Sequence, residues 1–172
     1  MVYTVPIKKG GHTMIRTATD GDLPQILHIY DRARRFMAEN GNPDQWGNTF
    51  PPTDLLQYDI KEKRLFVLDD GGVHAAFAFI LGDDPAYAAI TDGAWLSDAP
   101  YGTIHRLASD GAVRGVLDAV VAFCAARQPH LRIDTHADNH IMQHLIEKNG
   151  FTRCGIVRTV EDNTPRIAYE KQ

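Results

Sequence analysis

The spacing of apolar residues changes several times along the chain, and each change marks a new element. From Leu23 to Met37 the apolar positions recur every three or four residues, which predicts an amphipathic helix that ends at Asn40-Gly41. A loop rich in glycine, asparagine and proline follows, and Thr53 then caps a short predicted helix over residues 54–61.

Runs of β-branched and aromatic residues predict the strands. Two hairpins are expected, one around Gly71-Gly72 and one around the turn-rich stretch EDNTP near the end of the chain. Single strands are expected at 14–19, 103–109 and 131–136, with helices at 116–127 and 139–148.

The resulting order is strand, two helices, three mainly antiparallel strands, helix, strand, helix and two strands. This order predicts a mixed α/β fold, with a mixed, mostly antiparallel central sheet covered by helices on both faces. A chain of 172 residues with 44% hydrophobic content suits one domain, which we place at residues 14–172. Residues 1–13 show no period and are interpreted as an N-terminal extension.

Composition and charge narrow the class of protein. A net charge of −4 and a pI near 6.0 argue against nucleic acid or an anionic membrane as a partner. The sequence has no apolar run of the roughly 20 residues that a membrane span needs, and no signal peptide is expected. Cys124 and Cys154 have no CxxC spacing, which favours a reducing, cytoplasmic location.

Four stretches together carry a resemblance to a known family: MIRTATDGDLPQI, TIHRLASDGAVRGVLDAVVAF, RIDTHADNHIMQHLIEKNGF and CGIV. In this order they resemble the GNAT superfamily of N-acetyltransferases. The segment LIEKNGF is similar to the family signature Leu-Tyr-Glu-Lys-x-Gly-Phe, with Ile146 at the tyrosine position. The resemblance implies an enzyme that moves an acetyl group from acetyl-CoA to an amine.

The loop before the third predicted helix is the expected site for the CoA pyrophosphate. A glycine-bearing turn and a helix N-terminus present unpaired backbone N–H groups and the positive end of a macrodipole. Aligned with the family loop Gln/Arg-x-x-Gly-x-Gly/Ala, Gly115 is the first glycine, and Ala112 and Leu117 depart from the other two positions. Gly111 can free the backbone there and Arg114 can supply charge.

The resemblance also implies the remaining contacts to the cofactor. Backbone groups at the end of the preceding strand are expected to bind the pantetheine arm and the thioester. Asn139 matches a family position near that arm, although it is equally suited to cap the following helix. The predicted cofactor-binding residues are Leu107, Ala108, Ser109, Gly111, Arg114, Gly115, Val116 and Asn139.

Acetyl transfer needs a deprotonated amine, a stabilised oxyanion and a proton for the leaving thiolate. In relatives a strand N–H stabilises the oxyanion and the tyrosine donates the proton, which Ile146 cannot do. His105, on the strand expected to carry the thioester, and His136, at the end of the next predicted core strand, are candidates for proton transfer. Asp134 shares a strand face with His136 and could orient it or act as base. Each of these three residues could instead be a hydrogen-bonded structural residue.

The acceptor is an unidentified small-molecule or peptide amine. The loop NGNPDQWGNTFPP holds two aromatic rings that either fill the edge of the core or contact the substrate. From loop placement, Asn42, Gln45, Trp46 and Trp95 are predicted to line the acceptor pocket. The final hairpin offers a surface for a homodimer.

Two other functions stay open at this point. The altered loop and the missing tyrosine would suit a non-catalytic acyl-CoA-binding module. His136, His140 and His144 recur every four residues and could bind zinc in a metal-dependent hydrolase. We predict no metal site, because His136 is expected in a strand and the HExxH glutamate is missing.

Overall fold

The computed structural model describes residues 3–4 and 13–172. Within these residues, eight strands form a single sheet and four α-helices pack against it. In chain order the elements are β1 (Tyr3–Thr4), β2 (Met14–Thr17), α1 (Leu23–Glu39), α2 (Thr53–Lys61), β3 (Leu65–Asp69), β4 (Val73–Leu81), β5 (Gly102–Ser109), α3 (Val116–Ala125), β6 (Leu131–Thr135), α4 (His140–Lys148), β7 (Thr152–Arg158) and β8 (Pro165–Lys171).

The sheet has the strand order β1-β2-β3-β4-β5-β6-β8-β7. Every neighbouring pair is antiparallel except β5 and β6, which run parallel. The predicted α/β class with a mixed, mostly antiparallel sheet is therefore confirmed. No helix in the described part of the chain is long and apolar enough to cross a membrane.

Each face of the sheet buries its own hydrophobic core. On one face α3 and α4 contribute Phe123 and Ile146 to a cluster that includes Phe77 of β4. On the other face α1 and α2 contribute Tyr30 and Leu56, both fully buried. The apolar stripe predicted from Leu23 onward faces this second core. Helices thus cover both faces, as the sequence predicts.

Several predicted boundaries differ from the structure by one or two residues, and two differences change the role of a segment. Tyr3 and Thr4 pair with Ile15 and Met14, so this part of the predicted extension adds an edge strand. The other residues of the predicted extension up to 12 lie outside the described residues. Thr53 is the first residue of α2 rather than its cap, because Pro52 already has the extended backbone of an N-cap residue.

Strand β5 contains a β-bulge at its centre. Ala108 pairs with Ala76 and His105 with Ala78, so Arg106 and Leu107 both lie opposite Phe77. The packing of nearby side chains confirms the bulge. Residues four apart in a regular strand share a face, but Ile104 packs in the α3/α4 core and Ala108 packs in the α1/α2 core. Arg106 takes up the extra residue with a φ of 54°.

Just before the bulge, β5 separates from β6. The two strands pair only from Gly102 with Leu131 to Ile104 with Ile133. After that point β6 continues alongside β8 alone. A wedge-shaped gap therefore opens in the sheet at the carboxyl ends of β5 and β6. The backbone groups of β5 that face the gap are released from the ladder on that side, while β5 stays paired with β4.

Candidate active site

A cleft of about 820 Å³ opens into the gap between β5 and β6. One end lies between β5 and the N-terminal turns of α3 and α4. The other end is covered by residues 44–50 of the segment between α1 and α2, which we call the strap (residues 40–52). Ten of the predicted site residues line this cleft: Gln45, Trp46, His105, Leu107, Ala108, Ser109, Gly115, Val116, Asp134 and Asn139.

The N-terminus of α3 forms the end of the cleft expected to hold pyrophosphate. Gly115 is its N-cap in the left-handed conformation, with φ of 72°, and it opens the first turn toward the cleft. The first N–H groups of a helix have no partner inside the helix, so this end is suited to an anion. Gly111 and Arg114 are exposed and do not line the cleft. Lys148 of α4 and Asp118 in the first turn of α3 do line it.

The gap itself contains an unpaired polar atom. Thr135, at the end of β6, is fully buried and lines the cleft, and its Oγ1 has no hydrogen-bond partner among the described residues. A buried hydroxyl without a partner is costly unless a ligand completes it. Together with the released backbone of β5, this atom fits a pantetheine arm, whose amides donate and accept hydrogen bonds.

Gln45 fastens the strap across the cleft. Its Oε1 accepts hydrogen bonds from Asn139 Nδ2 at 2.9 Å and from Asn42 Nδ2 at 2.7 Å. Its carbonyl oxygen accepts a further hydrogen bond from Arg166 Nη2 at 3.0 Å. Asn42 is thus buried behind Gln45 and supports it from outside the cleft. Asn139 also caps α4 by accepting from Met142 N, which confirms its predicted use as a cap, while its contact with the cofactor arm stays a prediction.

Trp46 fills the edge of the core, as the first of its two interpretations expects, while contact with a substrate stays a prediction. Its ring meets the ring of Tyr30 edge-on, with centroids 5.6 Å apart, and so closes the α1/α2 core. The same side chain lines the cleft beside Phe50. Filling the edge of the core therefore does not remove Trp46 from contact with a ligand.

His105 pairs with an acidic residue that the sequence analysis did not identify. Its Nε2 lies 2.5 Å from Asp84 Oδ2, and both side chains line the cleft. Burial disfavours the charged form of Asp84, but the hydrogen bond from His105 and the nearby Arg106 outweigh it and keep the pKa of Asp84 below its usual value. Asp84 is therefore a carboxylate that orients the imidazole.

The predicted pair of Asp134 and His136 is not formed. Strand β6 ends at Thr135, so the alternation that would have placed both side chains on one face is interrupted. His136 Nδ1 instead lies 3.5 Å from Asp138 Oδ2, and His136 does not line the cleft. Asp134 faces the cleft, where its Oδ1 accepts a hydrogen bond from Tyr87 at 2.8 Å.

Tyr87 is buried beneath the cleft and its hydroxyl stays protonated. Burial and the neighbouring carboxylates Asp134 and Asp84 raise the pKa of Tyr87 well above its usual value. Arg166 Nε lies 4.0 Å from Asp134 Oδ2 on the other side. Asp134 is thus flanked by the hydroxyl of Tyr87 on one side and the guanidinium of Arg166 on the other.

The segment of residues 82–101, which we call the 82–101 loop, carries Asp84 and Tyr87 into the site. It is fastened by Arg132, whose guanidinium carbon lies 3.9 Å from the ring centroids of both Trp95 and Tyr101. The buried carboxylate of Glu170 accepts hydrogen bonds from Leu96 N and from Arg132. Trp95 therefore belongs to this anchor and not to the acceptor pocket, where the sequence analysis placed it.

A second charged group borders the cleft on the α2 side. The fully buried carboxylate of Asp59 binds two arginines, with Arg64 Nε 2.6 Å from Oδ1 and Arg106 Nη2 on Oδ2. Both arginines line the cleft. We call this group the Asp59 cluster. A regular strand would have turned Arg106 away from the face used by His105, and the bulge in β5 removes that alternation.

The mouth of the cleft is acidic. Asp44 of the strap and two residues of the β7–β8 turn, Glu161 and Asp162, form an exposed rim. Hydrogen bonds from Thr159 and Thr164 lower the pKa of Asp162 to about 2, so this carboxylate is charged at neutral pH.

The three histidines of the proposed zinc series do not converge. His140 and His144 are exposed on α4, whereas His136 lies before the helix beside Asp138. Within residues 3–4 and 13–172, no group of three or more His, Cys, Asp or Glu side chains is placed to hold a metal ion. The hydrolase alternative therefore has no ligand set in this part of the chain.

Comparison with known proteins finds similar chains among solved structures. No family model and no curated protein matches the chain. A GNAT-family acetyltransferase from Streptococcus agalactiae 2603 is 30% identical and superimposes with a TM-score of 0.86 over 99% of this chain and 98% of its own.

Two other solved structures share the fold at lower identity. A GNAT-family acetyltransferase from Listeria monocytogenes 4b F2365 is 16% identical, with a TM-score of 0.68 over 98% of this chain and 99% of its own. The ribosomal-protein-alanine N-acetyltransferase from Brucella melitensis is 18% identical, with a TM-score of 0.59 over 91% of this chain and 98% of its own.

Proposed function

The chain belongs to the GNAT family of acetyltransferases, and we propose that it moves an acetyl group from acetyl-CoA directly to the amine of a small molecule or peptide. The family assignment makes it an acyltransferase. The observation that carries the finer proposal is the His105–Asp84 pair beside the gap between β5 and β6, within one continuous cleft.

The donor end of the cleft fits acetyl-CoA by its chemistry. The first turn of α3 at Gly115 suits the pyrophosphate, and the released backbone at Leu107, Ala108 and Ser109 suits the pantetheine arm. Thr135 Oγ1 offers an unpaired hydroxyl in the same region. Bound there, acetyl-CoA supplies a thioester carbonyl that an amine can attack.

The residues of this chain manage the proton of the acceptor. An acceptor that enters as an ammonium first gives one proton to solvent. His105, oriented by Asp84, then accepts the second proton from the amine as the new C–N bond forms and the C–S bond breaks. The electron pair of the C–S bond leaves with the sulfur as a thiolate. A released N–H of β5 is the proposed donor to the oxyanion.

The leaving thiolate receives no proton from position 146. Ile146 is fully buried in the α3/α4 core, and from α4 the cleft is lined by Ile141, Met142, Leu145 and Lys148. We therefore propose that the thiolate leaves without a tyrosine, and that the proton held by His105 is returned through solvent.

We also propose that the protein is cytoplasmic and that its partners include neither nucleic acid nor a membrane. The two cysteines support a reducing compartment, because both are free and buried. The homodimer through the final hairpin stays a prediction. In this hairpin, β7 is the last strand of the sheet and pairs in part with Thr91 of the 82–101 loop.

The decisive experiment combines calorimetric titration with acetyl-CoA and a turnover assay on a panel of amines. Saturable binding with release of free CoA that depends on an amine supports the proposal. Saturable binding without turnover on any amine would instead favour the acyl-CoA-binding module. Absence of binding would overturn the assignment of donor.

A further inference from the structure

The Asp59 cluster points to the chemistry of the acceptor. We infer that the acceptor carries a carboxylate beside its amine, as an amino acid does, and that Arg64 and Arg106 bind this carboxylate. The inference rests on the proposed function, since it concerns the acceptor end of the same cleft.

The charges of the Asp59 cluster do not balance. Two guanidinium groups share the single carboxylate of Asp59, which leaves one positive charge on the wall of the cleft. A guanidinium charge removed from water is costly when no anion compensates it, so a further anion beside the two arginines would stabilise the cluster. Asp84 is close enough to Arg106 to have its pKa lowered by it, but the carboxylate of Asp84 is already bound to His105.

Each arginine also has hydrogen-bonding capacity left. Arg64 uses its Nε for Asp59, and its two terminal nitrogens have no hydrogen-bond partner among the residues described. The Nε of Arg106 is buried and likewise has no partner in that part of the chain. Guanidinium groups bind carboxylates through paired N–H groups, so the free nitrogens match such a ligand.

The position of the cluster relative to His105 sets the distance between the two functional groups of the acceptor. His105 and Arg106 are consecutive, and the β5 bulge lets both side chains line the cleft. In an α-amino acid the amine and the carboxylate are attached to one carbon. The amine can therefore face His105 while the carboxylate meets the arginines.

The remaining walls favour an apolar side chain on the acceptor. Leu55 of α2, Ile80 of β4 and Phe50 of the strap line the cleft together with the two arginines. Burial of an apolar group there gains about 25 cal/mol per Å² removed from water. The acidic rim attracts the ammonium of the acceptor, and it lies on the strap and the β7–β8 turn, apart from the Asp59 cluster.

The test compares proteinogenic L-amino acids with their carboxamides, which keep the amine and lose the carboxylate. Titration of each compound into the protein saturated with CoA measures binding, and the turnover assay measures KM and kcat. We expect at least one apolar amino acid to bind about tenfold or more tightly than its amide, since a charged bidentate pair is lost.

Variants of Arg64 separate recognition from folding. Arg64→Gln should raise the KM for the amino acid about tenfold or more and leave the KM for the amide unchanged. Arg64→Lys keeps the positive charge but loses the paired N–H groups of the guanidinium. Its KM for the amino acid should therefore lie between those of wild type and Arg64→Gln. Arg35→Gln, which removes an exposed arginine of α1 that pairs with Asp31, is the matched control.

Each outcome decides one proposal. Amides that bind as tightly as amino acids would overturn the carboxylate inference, whether or not turnover is seen. This comparison uses the wild-type protein, so it does not depend on the folding of a variant. An equal rise in KM for acid and amide in Arg64→Gln would do the same. Binding of acetyl-CoA without turnover of any amine would overturn the proposed function, while a carboxylate-dependent affinity would leave the inference standing.

Discussion

At the scale of single residues, the site depends on a histidine that is oriented by a carboxylate from a distant loop. His105 could be identified from the sequence because it lies in a predicted core strand. Asp84 could not, because the segment around it shows no period and the contact joins residues 21 apart in the chain. The same holds for Tyr87, whose hydroxyl contacts Asp134, 47 residues further along the chain.

Replacing His105 should disable proton transfer but spare donor binding. His105→Gln should lower kcat by about 10²- to 10⁴-fold, the usual contribution of a general base. Calorimetry with acetyl-CoA should give an unchanged Kd. His28→Gln, at an exposed position of α1, is the control; a kcat close to that of wild type in His105→Gln would exclude His105 as the base.

Asp84 should act through the orientation of His105. Asp84→Asn removes the negative charge and should lower kcat, by less than the loss in His105→Gln, because the imidazole remains. Asp84→Glu should recover part of the activity. Steady-state kinetics at several pH values provides the measurement, and equal activity in Asp84→Asn and wild type would show that the pair is only structural.

At the scale of elements, the β5 bulge and the 82–101 loop position the side chains of Arg106 and Asp84. The hydroxyl of Tyr30 in α1 donates to the carbonyl oxygen of Arg106 at 2.7 Å and so fixes the residue with positive φ. Tyr30→Phe leaves this carbonyl unpaired and should cost about 1–3 kcal/mol of unfolding free energy. Urea denaturation measures the loss, and an unchanged midpoint would show that another group satisfies the carbonyl.

The 82–101 loop approaches β7 so closely that two glycines are required. A Cβ on Gly93 would lie 1.9 Å from the carbonyl oxygen of Cys154, and one on Gly155 would lie 2.5 Å from that of Thr91. Gly93→Ala must displace the backbone and should destabilise the protein by about 1–3 kcal/mol. It should also reduce kcat, because the same loop carries Asp84.

The matched control for Gly93→Ala is Gly21→Ala. A Cβ on Gly21 would meet its nearest neighbour, Thr19 Oγ1, at 3.7 Å, which is an ordinary contact. Denaturation and turnover of the two variants should therefore differ. Equal stability of Gly93→Ala and Gly21→Ala would mean that the loop can move away from β7 at little cost.

At the scale of the whole molecule, acid should destabilise the fold through its paired carboxylates. The hydrogen bonds from Arg16 hold the pKa of Asp22 well below its usual value, and burial only partly opposes them. The side chain of His74 helps to lower the pKa of Asp110, again against burial. Groups lowered in the folded state stabilise it above the unfolded pKa of about 4 and lose that contribution as pH falls through the folded pKa.

Urea denaturation between pH 7 and pH 3 should therefore show a falling unfolding free energy below about pH 4. Asp22→Asn removes one of these carboxylates and should give a shallower decline. A decline as steep as that of wild type would show that the Arg16–Asp22 pair contributes little to acid sensitivity.

Most of the element order follows from the sequence, but the sheet that joins the elements does not. The period of α1 and the hairpins around Gly71-Gly72 and EDNTP are local patterns, and the structure confirms them. The bulge at Arg106, the parting of β5 from β6 and the β1 pairing depend on contacts between distant segments. Periodicity does not predict that Leu107, Ala108, Ser109 and Asn139 share one site. That prediction came from the resemblance to the family.

The acidic rim of Asp44, Glu161 and Asp162 also bears on how product departs. An ammonium group entering the cleft is attracted to these carboxylates, but acetylation converts it to a neutral amide. If the acceptor is an amino acid, the product is an anion that the rim repels. The same three side chains therefore favour entry of the ammonium and exit of the product, and product inhibition should strengthen with ionic strength as their repulsion is screened.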